Sequence, residues 1–291
     1  MGLPRHTWKL LTALLLLANV AHASLTVTAR GSGNNNTAGT SLVCTPTSNM
    51  GVSGNNMGVL VISADNVAAS GACCGISSTT VTDSAGNTWT KQLNKVYDPG
   101  AASAGVEMAI FTAPMPNGLS TSQNVTITFA ASATAKTYAF WEVAAGTGNA
   151  ANFVSAAASC DNCTTGQTGT TQTFTTVSLT LGDAVIAVMT CEGNPTFTAD
   201  SDTTNGSWSS AQTNTAGSAG TGNGIITQAK VVNNAGTQTY DTSTSSSVDW
   251  TMGYARLNEV AGPTPTPSPT PSPTPTPGVV SGGNFFIFFP R

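Results

Sequence analysis

The sequence predicts an all-β protein: an antiparallel β-sandwich with an internal duplication of its strand unit, followed by a Pro/Thr/Ser-rich linker and a short apolar tail. Three observations lead to this class. Short runs of β-branched and aromatic residues recur along the chain between clusters of Gly, Asn, Asp, Ser and Pro, and no stretch has a helical period. The order of these runs in the first half returns in the second. A proline repeat then sets off the last residues from everything before it.

Residues 1–23 have the three regions of an export signal: Arg5 and Lys9, an apolar stretch from Leu10 to Val20, and the small-residue end Ala21-His22-Ala23. The apolar stretch is shorter than the about 20 residues of a comfortable membrane helix, so cleavage after Ala23 is expected rather than a retained anchor. The chain holds 9 basic and 13 acidic residues. Loss of Arg5 and Lys9 leaves seven against thirteen, a formal charge of −6. The remaining Arg and Lys form no basic stripe, which argues against nucleic acid as a partner. No later segment is apolar enough for a transmembrane helix. Both histidines, His6 and His22, leave with the signal, so the expected mature chain has no imidazole for a Ser-His-Asp or Cys-His nucleophile.

The globular part spans 24–261. Strands are expected at Met57–Ser63, Thr79–Asp83, Val106–Thr112, Asn124–Phe129, Thr137–Val143, Thr176–Leu181, Ala184–Thr190, Ile225–Val232 and Val248–Leu257. Val125, Ile127 and Phe129 alternate with polar neighbours, the pattern of a strand with one buried face. Val59–Ile62 and Ala184–Val188 are continuous apolar runs, as in strands covered on both sides. Two pseudo-repeats, about 41–146 and 172–261, follow the same order, with Trp89 and Trp208 each placed after a polar turn. They fit either two small sandwiches or one larger one. The short connection near Gly146–Ala151 has no linker composition and favours one larger unit.

Six cysteines, Cys44, Cys73, Cys74, Cys160, Cys163 and Cys191, are expected to form disulfides in an exported chain, with connectivity open. Pseudo-symmetry suggests Cys191 with Cys73 or Cys74. Cys160-Asp-Asn-Cys163 alone lacks the further ligands of a zinc site. Asp83, Asn87, Asp200 and Asp202 offer oxygens of the kind calcium takes, although about six to eight must converge; the competing reading is hairpin turns in which Asp and Asn bond their own backbone. No other cofactor is implied. Trp89 and Trp208, close to turns, are the candidates for stacking on a sugar. Glu107, Glu142, Glu192 and Glu259 keep paired-carboxylate glycosidase chemistry open, with Glu142 and Glu259 at equivalent ends of the two closing strands.

Residues 262–278 read as an extended polyproline spacer. Residues 279–291 carry Phe285, Phe286, Ile287, Phe288 and Phe289, a segment too short to span a bilayer as a helix. It reads as a strand donated to a sheet edge, an anchor on an envelope partner, or a free end; contiguous exposed apolar residues favour attachment or self-association.

Three motifs, Thr80-Val-Thr-Asp-Ser-Ala-Gly-Asn-Thr-Trp89, Gly182-Asp-Ala-Val-Ile-Ala-Val188 and Glu142-Val-Ala-Ala-Gly146, resemble those of secreted bacterial β-sandwich surface modules of Ig-like or jelly-roll-like kind. The resemblance covers about 41–262 and implies a secreted or cell-surface location without supplying a catalytic motif. The expectation is a structural or adhesive protein, not an enzyme, meeting an envelope component or a glycan. A carbohydrate-binding module acting through its tryptophans is the alternative, and a polysaccharide-acting enzyme the minor one.

Overall fold

The computed structural model describes residues 25–51, 53–65, 80–99, 104–146, 150–158, 168–218, 221–260, 283 and 287–290. Within the compact unit that ends at Val260, the chain folds into strands alone among the described residues. The first half contributes β1 (Thr26–Asn35), β2 (Gly39–Cys44), β3 (Ser53–Asp65), β4 (Thr80–Asp83), β5 (Thr90–Tyr97), β6 (Val106–Met115), β7 (Val125–Ala133) and β8 (Lys136–Ala144). The second contributes β9 (Ala151–Ala158), β10 (Thr168–Thr175), β11 (Ala184–Glu192), β12 (Phe197–Thr198), β13 (Gln212–Ala216), β14 (Asn223–Val231) and β15 (Thr239–Glu259).

In the first half a five-stranded sheet, β1-β8-β3-β6-β5, faces a three-stranded sheet, β2-β7-β4. The same pairing returns in the second half. There β15 replaces both β7 and β8: its beginning pairs with β10 and β12, and its end pairs with β9 and β11, while β11 carries β14 and β14 carries β13. All of these pairs are antiparallel. Each half is therefore a sandwich with its own core. Leu60, Ile62, Phe111 and Phe140 meet Leu42, Val125 and Ile127 in the first. Val185, Met189, Ile226 and Tyr254 meet Phe174, Tyr240 and Val248 in the second.

A third core joins them. Strand residues alternate between faces, so β3 sends Leu60 and Ile62 into its own sandwich and Val59 and Val61 the other way. There they meet Ile186 and Val188 of β11, with Met108, Ile110, Trp141, Val143, Ile225, Ala229 and Leu257 around them. The five-stranded sheet of the first half and the five strands β9-β15-β11-β14-β13, part of a seven-stranded sheet continuous through β15, are thus packed back to back, and their central strands are apolar on both faces. This is why Val59–Ile62 and Ala184–Val188 are unbroken apolar runs. The compact body up to Val260 holds two sandwiches joined through a shared apolar layer.

Polar contacts fasten the rim of that layer. β1 carries a bulge between Ala29 and Gly31, the one point where its register with β8 shifts. Gly31 adopts φ +108°, and a Cβ there would lie 2.2 Å from the Thr47 hydroxyl, so only glycine fits. The bulge turns Arg30 onto Glu142 and presents the Gly31 N–H to Gln212 Oε1 of the other sandwich at 2.9 Å. Gln212 Nε2 in turn donates to the Phe140 carbonyl at 2.8 Å. Inside the layer Asn223 accepts from the Thr137 hydroxyl at 2.6 Å and donates to Ser63 at 2.7 Å.

One expected strand is misplaced. Thr176–Leu181 is not a strand but the turn leading into β11; the strand of that region is β10, just before it. Thr180 donates through its N–H to Asp183 Oδ2 at 2.7 Å, and Arg256 Nε donates to the same oxygen at 2.8 Å. The Gly-Asp motif thus closes a turn and ties it to β15.

Trp141 tests the shared layer. Its side chain is buried and its Nε1 donates to Thr227 Oγ1 of the other sandwich at 3.0 Å. Trp141→Ala is expected to lower the unfolding free energy by about 3–5 kcal/mol in chemical denaturation, and Thr227→Val by about 1 kcal/mol.

Candidate functional site

The two polar turns singled out in the sequence are built as Asx turns. Asp83 Oδ1 accepts the Ala85 N–H at 2.6 Å, and its Oδ2 accepts from Asn87 Nδ2 at 3.0 Å and from Trp89 Nε1 at 2.7 Å. Asn87 also donates to the Gly118 carbonyl at 2.8 Å and accepts from the Asn117 N–H at 3.2 Å. In the second half Asp200 accepts the Asp202 and Asp241 N–H groups at 2.6 and 2.8 Å, and Asp202 accepts the Thr204 N–H at 2.8 Å. These four residues were calcium candidates, but their oxygens point at N–H donors rather than at a common centre. Among the described residues no three His, Cys, Asp or Glu side chains converge on a metal-sized space.

The tryptophans are not exposed platforms. Trp89 and Trp208 retain only 9 % and 8 % of their accessible surface, which corrects the expectation that turn proximity leaves them open. Trp89 packs edge-on against Phe140 in the first core. Trp208 lies against Tyr240 with ring centroids 4.9 Å apart, and Lys230 Nζ sits 4.6 Å from its ring centre. The Lys230 ammonium also donates to the Thr204 carbonyl at 3.0 Å and stands 3.6 Å from Asp202 Oδ2. Burial lowers the Lys230 pKa, whereas the Thr204 amide and the ammonium hold Asp202 below the usual carboxylate range.

Cys44 and Cys191 are free thiols, contrary to the expected disulfides. The reason is direction: Cys44 points from β2 into the first core, and Cys191 from β11 into the second core beneath Gly224. Burial pushes both thiols well above the ordinary range, which disfavours the thiolate form. The partners expected for Cys191 were Cys73 and Cys74. Those two cysteines, with Cys160, Cys163, Phe285, Phe286, the export signal and the proline repeat, lie outside the described residues.

The carboxylates separate into structural and clustered groups. Glu142, buried, accepts from Arg30 Nε at 2.6 Å, from the Gly51 N–H at 2.9 Å and from Asn56, and it pins β1 to β8. It is not the counterpart of Glu259. Tyr138 and Trp141 pair with Ile62 and Val59 just as Tyr254 and Leu257 pair with Ala187 and Ala184, so Glu142 matches Asn258 and Glu259 falls one residue on, turned to the other face. Glu107 is buried on β6 and accepts from Asn94 at 3.3 Å.

The carboxylates that do meet are Glu192 and two that sequence reading did not mark, Asp65 and Asp249. Glu192 accepts the Gly105 N–H at 2.6 Å and shares a hydrogen bond with Asp249; burial and the neighbouring carboxylate raise its pKa. Asp65, fully buried at the end of β3, is pushed up to about 7 by burial and then by Glu192. No local pattern announces this group, since its members come from three separate strands.

The described surface also holds a cleft of about 370 Å³ where β1, β12 and β13 come together, lined by Asn34, Pro195, Thr196, Phe197, Thr213, Asn214 and Thr215. Asn34 Nδ2 donates to Asn214 Oδ1 and to the Thr215 carbonyl, both at 2.7 Å, so the two sandwiches meet along this wall. In the unit that begins at Ala261, Ile287, Phe288 and Phe289 are exposed by 69, 92 and 86 %.

Asp65 gives the stability a pH dependence. A carboxyl held near 7 in the fold and near 3.8 when unfolded favours the native state most fully below pH 4, and that contribution is lost as pH rises through 7. Melting temperature is therefore expected to fall between pH 5 and pH 8 in this window, and Asp65→Asn to flatten that slope and raise the value at the alkaline end. Alkylation followed by peptide mapping checks the thiols: Cys44 and Cys191 should resist modification in the native protein and react in denaturant without any reductant.

No family model matches the chain, and no curated protein and no solved structure is significantly similar to it.

Proposed function

We propose that this chain is an exported, surface-displayed structural or adhesive protein that performs no catalysis. The observation that carries this reading is the employment of its ionic side chains. Glu142 with Arg30 locks β1 to β8, Asp183 with Arg256 locks the turn before β11 to β15, and Asp202 with Lys230 closes the second polar turn. Two lysines are spent on backbone. Lys136 Nζ donates to the carbonyls of Thr37, Ala133 and Gly39 at 2.8, 2.8 and 3.3 Å, and Lys230 to that of Thr204.

A scaffold reading also accounts for the recurrence of one strand-pairing pattern in both halves, which we take as an internal duplication. The apparent export signal, the missing imidazole of the expected mature chain and the resemblance to secreted β-sandwich surface modules point the same way. In this reading the Thr-Pro repeat of 262–278 is a spacer and the apolar residues after it are the attachment point, meeting an envelope component or a second copy.

Deletion of 279–291 tests the attachment. The truncated protein is expected to appear in the medium while the full-length chain stays with the cells, and both should melt at the same temperature. Equal retention of the two would remove the tail from the reading.

A further inference from the structure

We propose that the cleft between β1, β12 and β13 binds a short stretch of neutral saccharide. The inference rests on the reading of a surface-displayed adhesive body and assigns it a contact site. None of the seven lining residues is charged, which disfavours phosphate, sulfate and other ionic ligands. The lining combines one half-buried aromatic ring, Phe197, with three threonines and two asparagine amides. A sugar has the matching chemistry: an apolar C–H face for the ring and hydroxyls that both donate and accept.

The site is held in place. Phe197 pairs with Thr244 of β15, and its neighbour Thr196 is clamped in both directions: its N–H donates to Ser245 Oγ at 2.9 Å, and its carbonyl accepts the Ser245 N–H at 2.9 Å. The tip of the Phe197 ring lies over Gly224, where a Cβ would approach Cζ to 2.7 Å, so the glycine leaves the ring its seat. On the opposite wall both amide hydrogens of Asn34 are used, toward Asn214 and Thr215, and Asn214 Nδ2 reaches Ser32 Oγ at 3.5 Å. This fixes the Asn34 amide and leaves its Oδ1 without a partner among the described residues. The hydroxyls of Thr196, Thr213 and Thr215 have no partner among the described residues.

A peptide adding as a strand to the edge of β13 is the competing occupant, and the hydrogen bonds disfavour it. Strand addition needs open backbone carbonyls. Those of Thr213 and Thr215 are already taken by Ser32 and Asn34. The side-chain hydroxyls of Thr196, Thr213 and Thr215 have the donors and acceptors that recognition of a polyol requires. The volume of about 370 Å³ lies at the small end of ligand clefts, which run from about 300 to 1,000 Å³, and suits one or two sugar rings.

The test is ligand-observed NMR with the full exported chain against neutral oligosaccharides of β-glucan, α-glucan, mannan, xylan and chitin type, with a sulfated glycan and an extended Thr/Val peptide as counter-probes. At least one neutral oligosaccharide is expected to bind saturably. Phe197→Leu, which keeps the ring's place in the core filled, and Asn34→Ala, on the exposed wall, should each weaken that binding roughly tenfold with little change in melting temperature. Unchanged affinity in both variants would place the sugar elsewhere. Failure of every neutral oligosaccharide to bind, or preference for the sulfated glycan or the peptide, would overturn the assignment. These outcomes leave the tail-dependent retention untouched, so the cleft and the attachment reading fail separately.

Discussion

A β-sheet with two apolar faces needs a cover on both, and each of the two sheets packed back to back in this protein is of that kind. Val59 and Val61 leave β3 on the side opposite Leu60 and Ile62, and Ile186 and Val188 leave β11 opposite Val185 and Ala187. Neither sandwich can stand alone in water without exposing its outer row. Burying a side chain of this size is worth about 1.5–3 kcal/mol. Packed back to back, each sheet supplies the other's missing cover, and the two cores become three. The rest of the architecture follows from this contact, including the apolar character of the central strands and the placing of polar residues at the rim.

Polar chemistry in such a body is confined to the edges and ends of the strands. The bulge at Gly31 sends one side chain and one N–H in different directions, fastening β1 to its own sheet and to the other sandwich together. Lys136 and Lys230, both buried, face backbone carbonyls instead of solvent, and burial lowers the pKa of each. A buried ammonium ringed by carbonyls ties several chain segments at one point, because three rotatable donors radiate from a single nitrogen. The cluster of Asp65, Glu192 and Asp249 is the exception, since like charges are brought together there, and burial with the neighbouring carboxylate raises the pKa of Asp65 and of Glu192.

Much of the fold was legible in the sequence. β3, β6, β7, β8, β11 and β14 stand out because burial demands apolar residues in them. β1, β5, β10 and β13 do not; Thr-Ala-Arg-Gly-Ser-Gly-Asn-Asn has no strand signal of its own, and its pairing comes from the neighbour it meets. Aspartate turns are legible from the Asp and Asn that make them. The burial of Trp89 and Trp208 is not, because what covers each ring is distant in sequence: Phe140 for one, Tyr240 for the other. Equivalence of Glu142 and Glu259 failed by a single residue, and in a strand that places the side chain on the wrong face. The cleft was invisible for a similar reason, with its walls drawn from both halves of the chain.

β15 runs unbroken for 21 residues, from the small sheet of the second sandwich to its large one, and the compact unit ends one residue beyond it, at Val260. Its last stretch is hydrogen-bonded on both sides, to β9 and to β11. Tension applied at residue 260 along the strand therefore loads two antiparallel ladders in shear, and many bonds must yield together instead of opening one by one. The last described strand is thereby placed to carry mechanical load, and the chain that follows leaves from it.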